Sequence, residues 1–232
     1  MEQQDLKTHF LEHGFKVFKE LLDPKDVQAI EDRHLDLIPN RGHGIDNAYW
    51  PQERVKDCPE LGLWWSQLVH DWPEVKKINK VLLDTVGHLF DNPTLYIADI
   101  ITNSPKNKFI KPHIDSPYRF DRWHDNFDLL GVQFIIPLCS FSQENGGTGL
   151  LPGSHKKNWV VKESYRGTYN DEFLQGVVQP AMNIGDALAF NPRILHSTMP
   201  NNSTIYRRAL LMHITSQYMV EQVKLVDNVL NY

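Results

Sequence analysis

Two imidazoles and a carboxylate brought to one point would give this chain a metal centre, and a few of its 11 histidines have the spacing for it. His-x-Asp occurs twice. His34-Leu35-Asp36 falls in a stretch with helical periodicity, where residues two apart point to nearly opposite sides. The pair cannot share an ion, and both residues are expected at the surface or half-buried on a helix. His113-Ile114-Asp115 follows Lys108-Phe109-Ile110-Lys111-Pro112, and Pro112 biases its predecessor toward extended backbone. Residues two apart on a strand share a face, so His113 and Asp115 can chelate together. His196 follows the apolar run Ala187-Leu188-Ala189-Phe190 and the Asn191-Pro192 turn, and is the candidate third ligand. Two histidines and one carboxylate form the facial set of non-haem Fe(II) oxygenases, which leaves coordination positions open. Zinc more often takes a closed or tetrahedral set.

Eleven residues beyond His196 stands Arg207. A planar guanidinium grips a carboxylate by two parallel charge-assisted bonds, as an oxygenase using 2-oxoglutarate requires for the distal end of that keto acid. Arg208 is adjacent and faces the opposite way on a strand. Alternation alone does not decide which of the two points inward.

The elements that must position these groups follow from periodicity and turn residues. Leu6, Phe10 and Leu11 recur at helical spacing up to His13-Gly14, and Phe15 to Phe18 alternates as a strand. Asp23-Pro24 starts a helix running to about Leu37, with Val27, Ile30, His34 and Leu37 on one face. Pro73 opens another to about Phe90, with Val75, Ile78, Val81, Leu82, Val86 and Leu89 as its apolar stripe. Beyond residue 92 come short strands at Leu95–Thr102, Leu129–Leu138, Thr148–Leu151, Gly176–Val178, Ala187–Phe190 and Ile205–Ser216. Helices followed by many short strands predict a helix-buttressed β-sandwich or barrel.

The 232 residues have length for one large domain with a core, and no repeat or linker divides them. With 23% charged residues and a net charge of -5, disorder and a nucleic-acid surface are excluded. No apolar run approaches the roughly 18 residues that span a bilayer. The amino terminus is polar and acidic, and the two cysteines, Cys58 and Cys139, are far apart. A cytoplasmic protein without a disulfide frame is the expectation.

With these residues in place, the sequence resembles the phytanoyl-CoA dioxygenase family of Fe(II)/2-oxoglutarate oxygenases. Phe10-Leu11-Glu12-His13-Gly14-Phe15 with Leu21-Leu22-Asp23 is similar to the family's opening helix, strand and second helix. His113-Ile114-Asp115 matches its HxD. Gly146-Gly147-Thr148-Gly149-Leu150-Leu151-Pro152-Gly153-Ser154-His155-Lys156 matches its GG-x-x-x-x-PGSH segment, the most specific stretch. Gly185-Asp186, His196, Asn202 and Tyr206-Arg207-Arg208-Ala209 continue it in order, in a register that favours Arg207 over Arg208.

The resemblance implies a mainly β fold, a double-stranded β-helix (jelly-roll, cupin-like) core with N-terminal helices packed on one sheet. One domain over residues 1–232 would comprise a mostly helical part, 1–91, and the jelly roll, 92–232. It implies Fe(II) on His113, Asp115 and His196, O2, and 2-oxoglutarate anchored by Arg207 with Thr198 as hydroxyl partner. Asn103 and Gln133 are further candidates for the cofactor pocket. Halogenating relatives lack the carboxylate ligand, so Asp115 points to hydroxylation with release of succinate and CO2. Pro112 and residues Ser116 to Asn126 depart from the family pattern on the substrate side, so a CoA thioester is not carried over. Tyr118, Arg119, Arg122 and Trp123 follow the metal motif and suit a small polar or anionic substrate. His155 is expected to stabilise its turn. A cupin-like metal-binding jelly roll without oxidative chemistry is the main alternative, and it would not need Arg207. A zinc hydrolase would need a general-base carboxylate beside the ligands, which is missing from the pattern.

Overall fold

A computed structural model describes residues 3–37, 63–66, 69–108, 112–115, 128–157 and 170–222. Helix α1, Gln3–His13, stops at Gly14, whose φ of 84° is left-handed and whose N–H closes on the Phe10 carbonyl at 3.0 Å. A Cβ there would lie 2.5 Å from His155 Nδ1, so the stop signal is also a close approach. The chain reverses into strand β1, Phe15–Phe18. Helix α2, Pro24–Leu37, is capped by Asp23, which accepts the Lys25 N–H at 2.9 Å, with Pro24 in the first turn. Strand β2 is Leu63–Ser66. Helix α3, Pro73–Val86, buries Val75, Ile78, Leu82 and Val86, and a 3-10 turn over Gly87–Leu89 ends it short of Phe90. None of the described helices is long and apolar enough to cross a membrane.

The strands after residue 92 are β3, Pro93–Asn103; β4, Gly131–Pro137; β5, Thr148–Leu150; β6, Ala187–Phe190; β7, His196–Thr198; and β8, Arg207–Ser216. Helix α4, Asn170–Gly176, lies between β5 and β6, where a strand over Gly176–Val178 was expected; Val178 alone bridges to Leu150. The large sheet has the order β1-β6-β4-β8-β3-β2, and every pairing is antiparallel. Strands β5 and β7 form the small sheet, extended by bridges at His113 and Val178. This is the double-stranded β-helix, with helices on one face of the large sheet.

Period-two alternation sorts the large sheet into two cores. Phe134, Ile136, Ala189, Leu210 and Met212 join Ile30, Val75, Ile78 and Leu82 on the helix side. Ile135, Leu188, Phe190 and Ala209 face the small sheet and form the barrel interior. Each buried Leu, Ile or Phe contributes roughly 1.5–3 kcal/mol over exposure.

The same alternation separates the two arginines. Arg207 shares the inward face with Ala209. Arg208 points at the helices and meets Glu31 of α2 at 2.7 Å, both side chains largely buried. His34 lies one turn on and is fully buried, deeper than the surface or half-buried position expected of it, while Asp36 is exposed. Burial, then the Arg208 charge, lower the His34 pKa to about 4. The folded protein therefore holds His34 neutral while the unfolded chain protonates it. Its contribution to stability is full above pH about 6.5 and is lost as pH falls toward about 4. Urea midpoints of wild type and His34→Gln across this range should converge on acidification; a constant difference would contradict the linkage.

Candidate functional site

Segment 112–115 joins the small sheet by a reciprocal pair of backbone bonds. The His113 N–H donates to the His196 carbonyl at 2.9 Å, and the His196 N–H to the His113 carbonyl at 3.0 Å. Two residues so paired project their side chains together. Their rings lie 4.3 Å apart, tilted by 47°. The Asp115 N–H is held by the Pro192 carbonyl at 3.0 Å, and its extended backbone returns the carboxylate to the same side. Asp115 Oδ1 stands 3.8 Å from His113 Nε2 and 3.6 Å from His196 Nε2. One ligand atom from each of the three lies within 4.8 Å of the others, the spacing that one ion can fill.

Neighbouring groups fix the orientation of His196. The Ile194 carbonyl sits 3.0 Å from His196 Nδ1 and can only accept, so Nδ1 carries the proton and the Nε2 lone pair faces Asp115. Burial lowers the His196 pKa to about 4, partly offset by that bond, so the imidazole is neutral and able to ligate. The Phe190 ring backs it at 4.7 Å.

Arg207 is 1% exposed. Its Nε donates to the Gly146 carbonyl at 3.1 Å, and its guanidinium lies over the Phe141 ring at 4.9 Å. Nη2 is buried without a hydrogen-bond partner, and no described carboxylate pairs with this side chain. Burial lowers the pKa to about 10, which still leaves a cation at neutral pH. A buried, uncompensated guanidinium is costly unless an anion completes it. Gly146 makes room for this arrangement: its φ is 73°, and a Cβ would fall 2.3 Å from the Met199 carbonyl.

Thr198 pairs with Thr148 and, two residues beyond His196, shares the face of that ligand. The barrel interior thus receives the three candidate ligand side chains and a hydroxyl from the small sheet and a cation from the large one. Asn103, opposite Arg207 in register, has both polar atoms engaged: Nδ2 donates to the Met199 carbonyl at 3.0 Å, and Oδ1 accepts from Asn107 at 2.8 Å. It braces the loop behind the arginine. Gln133 lies inward beside Phe190 and His213 in register, with Nε2 3.3 Å from the Met212 carbonyl. Tyr118, Arg119, Arg122 and Trp123 lie outside the described residues. His155 is buried on the turn at Ser154–Lys156, with Nε2 3.0 Å from the Leu11 carbonyl, and ties that turn to α1.

The sequence pattern did not single out Phe141, which packs on Arg207, or Phe190, which packs on His196.

The family model described as phytanoyl-CoA dioxygenase (PhyH) matches residues 10–209. Among curated proteins, a dioxygenase named cdmD from Talaromyces verruculosus is 31% identical over 90% of this chain and 72% of its own length. The dioxygenase andF from Emericella variicolor is 33% identical over 88% of this chain and 71% of its own. Among solved structures, HygX from Streptomyces hygroscopicus with nickel and 2-oxoglutarate bound superposes with a TM-score of 0.68 at 15% identity, covering 94% of this chain and 88% of that one. The non-haem alpha-ketoglutarate-dependent epimerase SnoN of nogalamycin biosynthesis gives 0.66 at 14% identity, covering 92% and 83%.

Proposed function

Because the chain belongs to the phytanoyl-CoA dioxygenase family, we propose that it hydroxylates a small organic substrate, using Fe(II), 2-oxoglutarate and O2 and releasing succinate and CO2. The observation that carries this reading is Arg207, a buried cation with an unpartnered Nη2, on the inner side of a barrel that also holds the His113, Asp115 and His196 cluster. A jelly roll that only bound a metal would have no use for it.

When bound, Fe(II) with 2-oxoglutarate and O2 supplies the oxidising chemistry, the keto acid being cleaved as the substrate gains a hydroxyl oxygen. His113, Asp115 and His196 would hold the metal, a three-residue set that leaves coordination positions for the keto acid and O2. The Ile194 carbonyl fixes the His196 tautomer, so Nε2 needs to lose no proton on ligation. Arg207 receives the distal carboxylate of the keto acid through Nη2, with Nε tethered to Gly146 so that the guanidinium plane does not turn away. Thr198 offers its hydroxyl to the same carboxylate. Phe141 and Phe190 exclude water along this path and strengthen each electrostatic contact. HygX, whose structure holds nickel and 2-oxoglutarate, supports the reading of the cofactors. The epimerase SnoN shares the fold, so the reading of hydroxylation rests on Asp115 in this chain and not on the fold.

The test is succinate formation by the Fe(II)-loaded protein with 2-oxoglutarate under air, compared with its formation under argon. Oxygen-dependent succinate is the expected result. Absence of both succinate and 2-oxoglutarate binding would favour the non-oxidative metal-binding jelly roll.

A further inference from the structure

The turn that leads into Arg207 is built around a buried amide. Of two adjacent asparagines, Asn202 is exposed, whereas Asn201 is 0% exposed. Both polar atoms of the Asn201 side chain are engaged. Nδ2 donates to the Asn103 carbonyl at 3.2 Å and to the Ile205 carbonyl at 2.8 Å. Oδ1 accepts from the Ser203 N–H at 3.1 Å and from the Ser203 hydroxyl at 2.6 Å. The Asn201 backbone N–H donates to the Asn107 carbonyl at 2.8 Å. One residue thus joins the end of β3, the loop beyond it and the turn that enters β8.

These bonds reach the cradle of Arg207 from two directions. The Asn103 side chain, held by Asn107, donates to the Met199 carbonyl at 3.0 Å. Gly146 lies against the same groups: a Cβ there would stand 2.3 Å from the Met199 carbonyl oxygen and 2.6 Å from Asn103 Nδ2. From the other direction, the Asn202 N–H donates to the Glu144 carbonyl at 2.8 Å, on the turn that carries Gly146. Gly146 in its turn supplies the carbonyl that tethers Arg207 Nε. Along the chain, Asn201 stands between Thr198 and Arg207, the two groups assigned to the distal carboxylate of the keto acid.

We propose that Asn201 is a positioning residue for 2-oxoglutarate, acting on the Arg207 guanidinium through Met199 and Gly146. The inference deepens the proposed function and rests on it. Strand pairing fixes the Arg207 backbone, but the long side chain keeps rotamer freedom beyond it. Its fork meets a carboxylate squarely only while the Gly146 carbonyl holds Nε in place. Loss of the Asn201 donor frees the turn from β3, and the contact between Met199 and Gly146 loosens with it. The metal cluster is held by other bonds, the His113–His196 bridge and the Pro192 and Ile194 carbonyls, so Fe(II) binding should not follow.

Calorimetry on anaerobic protein tests this, reading Fe(II) affinity first and then 2-oxoglutarate affinity of the Fe(II)-loaded form. Asn201→Asp keeps the shape and one acceptor but replaces the donor by an oxygen that faces two carbonyls. It should weaken 2-oxoglutarate by about tenfold or more, with Fe(II) affinity unchanged. Ser203→Ala, at a half-buried position of the same turn, removes one bond to Oδ1 and should fold as wild type does. It should weaken 2-oxoglutarate by a few-fold, which keeps the proposal testable if Asn201→Asp does not fold. The route through Arg207 is read in Arg207→Lys, which has no Nε tether. Adding Asn201→Asp, or Ser203→Ala, to Arg207→Lys should cost much less than it costs wild type, because groups that act through one contact are not additive. A merely structural Asn201 would lower the melting temperature and leave the 2-oxoglutarate affinity of the folded variants unchanged. That result, an equal loss in the Arg207→Lys background, or a matching loss of Fe(II) affinity would each overturn the assignment. A wild-type protein that binds Fe(II) but not 2-oxoglutarate would instead overturn the proposed function, and this inference with it.

Discussion

Alanine at Asp115 is expected to reduce succinate formation to that of free iron while the protein stays folded. The carboxylate lies within 3.8 Å and 3.6 Å of the two imidazoles, and its side chain is 22% exposed. Its removal opens no core cavity, and the backbone bond from its N–H to Pro192 survives the substitution. What is lost is the one anionic donor of the cluster, which leaves two imidazoles to hold a divalent cation. Loss of groups that merely orient ligands costs about 10- to 100-fold in metal affinity, and loss of a ligand should cost at least as much. Calorimetry with anaerobic Fe(II) reads the affinity, and circular dichroism reads the fold. Turnover at the wild-type level in Asp115→Ala would overturn the metal assignment.

The second large effect is expected at Arg207. Truncating one member of a buried, hydrogen-bonded charge pair costs about 2–5 kcal/mol of binding, so Arg207→Ala should weaken 2-oxoglutarate by roughly 30-fold to several thousandfold. Fe(II) affinity should be unchanged. Arg207→Lys keeps a charge but loses the fork and the Nε tether to Gly146, and should recover only part of the loss. A second readout separates anchoring from structure. Without the keto acid the guanidinium is a buried cation whose Nη2 has no partner. Arg207→Leu should therefore melt no lower than wild type in ligand-free protein, while losing the rise in melting temperature that 2-oxoglutarate gives wild type. A variant that melts much lower without ligand and still gains from 2-oxoglutarate would make Arg207 a structural residue.

The parts of this molecule that were readable from the chain are those set by neighbours in sequence. Gly14 ends a helix because the next position needs a left-handed backbone, and Asp23-Pro24 starts one because a carboxylate and a fixed φ favour the first turn. His113 and Asp115 share a face because strands repeat every two residues. The remainder depends on partners distant in the chain. Which of Arg207 and Arg208 points inward is decided by the pairing of β8 with β3 and by Glu31 waiting on α2. His34 shares the Val27 and Ile30 face that periodicity draws, and the same encounter buries it fully. Tyr96 meets the ring of the buried His213 edge-on, 5.7 Å between centroids, beside a register shift between Leu95 and Ile97, and one extra residue in a ladder leaves no mark in an alternating pattern. Gly176–Val178 reads as a strand, but the chain is helical up to Gly176 and contributes one bridge at Val178.

The paired backbone bonds between His113 and His196 carry a consequence for how the protein matures. The two segments are far apart in the chain, and among the described residues they are joined by that antiparallel bridge and by the Asp115 N–H bond to the Pro192 carbonyl. An ion gripped by both imidazoles is a second clasp over the same seam. Such a coordination shell could not exist until the barrel had closed, so a metal bound there would select the closed chain over the open one and tighten the seam as it loaded.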